Sequence, residues 1–261
     1  MDTLPPVVAP LPREKRFNRN LSPQSAFTWL EAGVKDFLDG WQSSVLYGLG
    51  VFIVSWLIVF ALFQTGRGAT VTSALAGFMI VGPALAIGLY QKSRLRQNGE
   101  SVTLGKMVFV RPKSGRQLLL AGVLLCLLFA AWIRVAVLLY ALLFGMHPFP
   151  GTDQIVPMLF ASYSGLALLA VGTLVGALFA TLSFALSVFS VPMLLDRRVD
   201  ALTAMGTSVA LVWHNRVALI TWGAIVLAGF LLSLATGLLA LIVVFPIIGH
   251  ATWHAYLAIQ E

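Results

Sequence analysis

Charge is the scarcest ingredient of this chain: Asp, Glu, Lys and Arg together make up 10% of its 261 residues. A water-soluble domain carries about a quarter charged residues, so this one is built for another solvent. A hydrophobic content of 59% and a mean hydropathy of +0.90 point to lipid. Cysteine is almost missing as well. Cys126 stands alone in an apolar run, which excludes an internal disulfide or a cysteine-rich zinc site and leaves it the role of a small buried hydrophobe. The opening MDTLPPVVAPLPREKRFNRN has no apolar core ahead of its charges. No cleavable signal peptide is therefore expected, and insertion falls to the first spanning helix. No P-loop, dinucleotide fingerprint, HExxH or GxSxG motif occurs. The sharp enzymatic signatures are thus excluded, and an enzyme is the less favoured reading.

What is there is a series of long apolar runs. Residues 43–63, 71–90, 117–145 and about 165–195 each reach the ~20 residues that cross a hydrocarbon core. The last run, 217–258, is too long for one helix and fits two, folded at Thr236-Gly237. The basic residues test this count. Arg13, Lys15, Arg16, Arg19 and Lys35 precede the first run, seven Lys/Arg lie in the 91–116 loop, and Arg197, Arg198 and Arg216 lie in the 196–216 loop. The other side has Arg67, and Arg134 falls within a run, which completes the 17. By the positive-inside rule both termini are cytoplasmic and there are six spans. The net charge of +7 follows this loop asymmetry, and no basic run beyond Arg13–Arg19 is interleaved with aromatics, so nucleic acid is not an expected partner. The expected partners are the bilayer, anionic lipids at the basic face, and a membrane-protein complex.

The expected fold is therefore an all-α polytopic bundle. Residues 1–21 read as a disordered cytoplasmic tail, 22–41 as an amphipathic surface helix, and 42–258 as a six-helix transmembrane domain. Within 22–41, Phe27, Leu30, Val34, Phe37, Leu38 and Trp41 share one face, which suits a helix lying on the membrane or packed on neighbouring loops. A repeat appears when the even spans are aligned on their prolines. Val81-Gly82-Pro83, Ser190-Val191-Pro192 and Val244-Phe245-Pro246 each stand before a polar exit. Proline removes a backbone hydrogen bond, so the chain reads as three hairpins with kinks at Pro83, Pro192 and Pro246. Asp200 is placed to cap a short helix whose Leu202, Met205, Val209, Val212 and Trp213 face the membrane.

Three blocks carry a family resemblance: Gly82-Pro83 through Ser93-Arg94, Ser190 to Arg197 with Val199-Asp200-Ala201, and Gly249 to Tyr256. Over roughly 25–258 the chain resembles a bacterial family of predicted integral membrane proteins catalogued only as a domain of unknown function. The resemblance implies a bacterial cytoplasmic (inner) membrane location and brings no activity.

Candidate sites are few. Gly172 and Gly176 form a GxxxG that allows close helix approach, read here as packing within the bundle. Arg134 lies about 16 Å from the outer end of its span at 1.5 Å per residue. An intramembrane arginine is either a functional contact or a structural group that snorkels outward. Counting from each proline, Asp196 and Asp200 match His250 and His254, each pair at i, i+4. If the repeats are pseudosymmetric, the four converge as a divalent-metal set for Zn, Fe or Mn. The competing reading has the aspartates paired with basic residues or helix ends, and the histidines anchored at the interface. Three functions stay open: first, a scaffold or accessory subunit of a membrane complex, favoured by the absence of catalytic motifs and by packing and surface-docking features; second, a small-solute transporter, favoured by the repeat and kinked helices but opposed by the scarcity of intramembrane charge; third, a metal- or haem-binding membrane protein, resting on the histidines.

Overall fold

A computed structural model describes residues 17–65, 71–145 and 155–260. The expected tail over 1–16, the turn at 66–70 and the excursion at 146–154 lie outside the described residues. Every element described is an α-helix, with no strand among the described residues. In chain order these are α1 (Ser25–Leu38), α2 (Trp41–Gln64), α3 (Val71–Leu85), α4 (Ile87–Gln97), α5 (Leu104–Val108), α6 (Gly115–Phe144), α7 (Ile155–Ala161), α8 (Tyr163–Ser187), α9 (Ser190–Asp196), α10 (Ala201–His214), α11 (Arg216–Ala235) and α12 (Leu241–Gln260).

Among the described residues, five stretches are long and apolar enough to cross a membrane: α2, α6, α8 continued through α9, α11 and α12. α2, α6 and α8 keep large side chains such as Leu57, Leu138 and Leu174 exposed, as helices in contact with lipid do. Cys126 also lies exposed on α6, not buried, because the core-facing stripe of that helix is Ala121, Leu125 and Trp132. The reversal between α11 and α12 falls at Thr236-Gly237, where Gly237 takes φ +60, a region open to glycine at no steric cost.

α3 ends two residues past Pro83, and Ala86 separates it from α4. The α8–α9 break at Val188-Phe189 precedes Pro192, while Pro246 lies inside the unbroken α12.

The best-buried part of the molecule is the basic end, where α1, α2, α4 and α9 gather around α12 and α10 packs on α8 and α9. α1 buries Ala26, Trp29, Gly33 and Phe37. A side chain at Gly33 would meet Ala251 and the Ile247 carbonyl at 2.6 and 2.7 Å, so α1 and α12 touch backbone to backbone. The contact uses a stripe of small residues and Trp29, which packs edge-on against Trp222 at 6.1 Å. Phe27 and Leu38 from the expected membrane face remain exposed. Residues 17–21, assigned above to the tail, are fastened to the bundle. The Arg19 amide donates to Asn215 Oδ1 at 2.8 Å, its Nε donates to the Ile259 carbonyl at 2.7 Å, and Asn215 Nδ2 donates to the Phe17 carbonyl at 2.8 Å.

Candidate functional site

Two features at the basic end combine helices distant in sequence: a buried polar relay and, beside it, an apolar cavity.

The relay begins at Lys92 on α4, fully buried together with Ser44 of α2 and His250 of α12. Lys92 Nζ donates to the Gly40 carbonyl at 2.9 Å and to Ser44 Oγ at 2.8 Å. Ser44 Oγ lies 2.9 Å from His250 Nε2, and Ser93 Oγ lies 2.9 Å from His250 Nδ1. The Ser93 hydroxyl favours the ionised form of the Asp36 carboxylate of α1. Asp36 Oδ2 takes a further contact at 2.9 Å from His254 Nε2, and Arg96 Nε stands 3.6 Å from Oδ1. Arg96 also pairs with Asp39.

One hydrogen arrangement satisfies every member. An ammonium can only donate, so Ser44 accepts from Lys92 and gives its own hydrogen to His250 Nε2. The imidazole is then the Nδ1–H tautomer, donating to Ser93. Burial pushes the Lys92 ammonium down to about 8; Arg96 adds repulsion, while Asp36 and Asp39 hold it up. Burial draws the Asp36 carboxyl upward, and hydrogen bonds from His254 and Ser93 outweigh this and hold it below its ordinary value.

The four residues expected to gather around a metal do not share a point. Both ring nitrogens of His250 are engaged by serines, and His254 meets Asp36. Asp196 stands 4.0 Å from Arg94 Nε and 3.5 Å from Lys113 Nζ, and accepts from the Tyr256 hydroxyl at 3.4 Å. Asp200 caps α10, accepting from the Thr203 amide at 2.8 Å. The i, i+4 spacing does put both histidines on one face of α12, but that face meets α1, α2 and α4, and Tyr256 is the α12 side chain that reaches Asp196. Among the described residues no three His, Cys, Asp or Glu side chains form a group able to hold a metal ion. Sequence reasoning passed over Ser44, Asp36, Lys92 and Ser93. The one signal was Lys92 itself, set only two residues beyond the 71–90 run.

Arg134 is exposed on α6, with no hydrogen bond or ion pair to another described residue. Gly176 packs under Trp132 of α6, where an added Cβ would stand 3.1 Å from the indole, while Gly172 faces open space.

The cavity has a volume of about 100 Å³ and lies between α3, α8, α11 and α12. Its wall includes Gly82 and Pro83, then Val188, the residue four before Pro192, then Val244 and Phe245 next to Pro246. The first and third apolar–Pro units, far apart in the chain, thus border one space, while Ser190-Val191-Pro192 lies outside its wall. Gly82 is buried, yet a Cβ added there meets nothing within 4 Å. Trp222 Nε1, also at the wall, is buried without a hydrogen-bond partner among the described residues. No lining residue is charged. Tyr90 and Gly249 carry the wall to the edge of the relay, two residues from Lys92 and one from His250.

Residues 70–196 match the family described as "Predicted integral membrane protein (DUF2189)". This establishes the resemblance over that stretch: the chain is an integral membrane protein with several apolar helices, related to a family whose description names no activity. The Gly82 block and the Ser190–Asp196 block fall inside the match; the Gly249–Tyr256 block lies beyond it. No curated protein and no solved structure matches the chain.

Proposed function

We propose that the chain is a six-span carrier of a small solute, with its binding place in the cavity whose wall takes in the first and third apolar–Pro units. That convergence is the observation that carries the reading. Transporters commonly bind substrate where interrupted helices of internal repeats meet near the bilayer midplane. The space is about 100 Å³ and partly open at its rim, and Gly82 offers an unobstructed place to fill it.

α3 and the first turns of α4 supply the sixth span. Residues 71–90 rise about 30 Å as a near-continuous helix, the thickness of a hydrocarbon core. The basic end is then cytoplasmic, in a bacterial inner membrane, with both termini inside and anionic lipid at its rim. The relay forms a floor beneath the cavity, pinning α1 and α2 to α12. The same relay is what favours a second reading, a rigid scaffold or accessory subunit presenting a fixed cytoplasmic face.

Labelling decides between the two. Because Cys126 is the sole cysteine, a Cys126→Ser, Gly82→Cys variant carries one thiol, at the cavity. A carrier alternates, so a membrane-impermeant maleimide should reach this thiol both in right-side-out and in inverted vesicles. Labelling from one face or from neither would overturn the carrier reading in favour of the scaffold.

A further inference from the structure

We infer that the apolar groove between α2 and α3 seats an acyl chain of an anionic phospholipid, with the lipid phosphate held at Arg111. This rests on the membrane placement given above, with the basic end at the headgroups, and holds whether or not the protein carries a solute.

The groove follows α2 from Leu46 to Val59 and α3 from Ala74 to Leu85, and Phe129 of α6 and Phe230 of α11 also line it. Leu46 to Val59 covers about 20 Å at 1.5 Å per residue, more than one leaflet's half of a ~30 Å hydrocarbon core. No lining residue is charged. Gly50 helps keep the groove clear, since a Cβ added there meets nothing within 4 Å.

The kind of occupant follows from what surrounds the opening. The groove is half open, and α2 beside it exposes Val54, Leu57 and Ile58, as a helix in contact with lipid does. Water in an uncharged slot at that depth would leave its own hydrogen bonds unmade, whereas acyl chains are the solvent there.

Charge at the mouth selects among lipids. Leu104 and Val108, one turn apart on α5, line the groove at the basic end. Buried Met107 fixes α5 in place: a Cβ at Gly88 of α4 would stand 2.4 Å from the Met107 carbonyl and from the Tyr47 ring. Phe109 next to it is 82% exposed. Arg111 comes three residues after Val108, so their Cα atoms are at most about 11 Å apart. It is exposed and makes no hydrogen bond or ion pair with a described residue. Its neighbours are engaged: Lys106 Nζ donates to the Ser101 carbonyl at 2.8 Å, and Lys113 Nζ stands 3.5 Å from Asp196. A guanidinium fork matches phosphate oxygens in pairs. Arg116 is exposed too, but at 100° per residue it lies about 140° around α6 from Phe129, away from the groove.

Full-length protein in vesicles is photocrosslinked to a phosphatidylglycerol with a diazirine in its acyl chain. Excess unlabelled phosphatidylglycerol or phosphatidylcholine of the same chains competes. At 46–59 and 74–85 phosphatidylglycerol should compete about fivefold better, one cation's share at an anionic surface. Around Leu174 and Leu178, on the exposed face of α8, bulk lipid is met and the two competitors should be equal. Arg111→Gln should reduce the groove's preference to the α8 value, and Arg116→Gln should leave it unchanged. Gly50→Leu, which fills the groove, should lower crosslinking at 46–59 and not on α8. Equal competition at the groove means bulk lipid only and overturns the inference. A preference that survives in Arg111→Gln, or falls as far in Arg116→Gln, overturns it as well. Two-sided labelling of the Gly82→Cys thiol without the lipid preference would keep the carrier and remove the lipid seat. One-sided labelling with the preference intact would do the reverse.

Discussion

Lys92 shows how a residue that reads as one more loop charge can become part of a core. It follows the 71–90 run by two residues, and α4 continues the helix through it, so its side chain is carried inward to Ser44 and the Gly40 carbonyl. Burial brings its ammonium from an ordinary 10.5 to about 8. Between those values the unfolded chain holds a proton that the folded chain has released, so this group adds stability as pH rises through that window; below about 8 both states are protonated and it has no pH dependence. Thermal unfolding in detergent should therefore show wild type gaining on Lys92→Met between about pH 8 and pH 10. Parallel pH profiles for the two proteins would contradict this account. His250 is the other decisive residue, since it links two serines that have few alternatives. His250→Ala leaves Ser44 and Ser93 short of a partner and opens a gap, a loss of about 2–4 kcal/mol. Asp200→Ala removes only an exposed helix cap, about 1 kcal/mol. A convergent metal set would make the two losses similar and metal-dependent, so denaturation of both variants with and without chelator separates the cases.

At the level of elements, α6 explains Arg134 better than its depth in the sequence does. Thirty residues make α6 about 45 Å long, some 15 Å more than a hydrocarbon core. With Arg116 at the basic surface, Arg134 lies about 27 Å further along, close to the opposite headgroup layer. An exposed arginine there can extend its guanidinium to lipid phosphate and anchor the helix. Arg134→Lys should then express and fold as wild type, and Arg134→Leu should leave maleimide labelling of the Gly82→Cys thiol unchanged. Loss of that labelling in a folded Arg134→Leu protein would return Arg134 to the site. Proline placement is likewise an element-scale matter. The repeat locates Pro83, Pro192 and Pro246 in equivalent sequence contexts, but α3 breaks after its proline, α8–α9 before it, and α12 not at all, because packing around each helix decides whether a missing hydrogen bond becomes a break.

For the whole molecule, six spans with a basic cytoplasmic face require reporter fusions after Glu261 and near Asn98 to read cytoplasmic, and one near Thr152 to read external. A C-terminal fusion reading external would reduce the count to five and place the relay apart from the basic loops. The helical class, the run boundaries to within a few residues, the fold-back at Thr236-Gly237 and the Asp200 cap were all legible in the chain. They depend on local quantities: apolar run length, turn chemistry, and a side chain that reaches its own helix end. The docking of 17–21 and α1 onto the bundle was not legible, because Arg19, Asn215, Gly33 and Ala251 are ordinary residues whose pairing depends on contacts some 200 positions apart. The candidate metal set failed for the same cause. Spacing put two histidines on one helix face, but nothing in the sequence says which neighbour that face meets. What the sequence by itself determined was the solvent and the presence of several long apolar helices. Only the tertiary structure decided that Gly82-Pro83 and Val244-Phe245 border one cavity and that Lys92, Ser44, His250 and Ser93 form one chain of hydrogen bonds. Composition and periodicity act along the helix, whereas the rotation of each helix about its axis, which selects its partners, is set by packing among all of them at once.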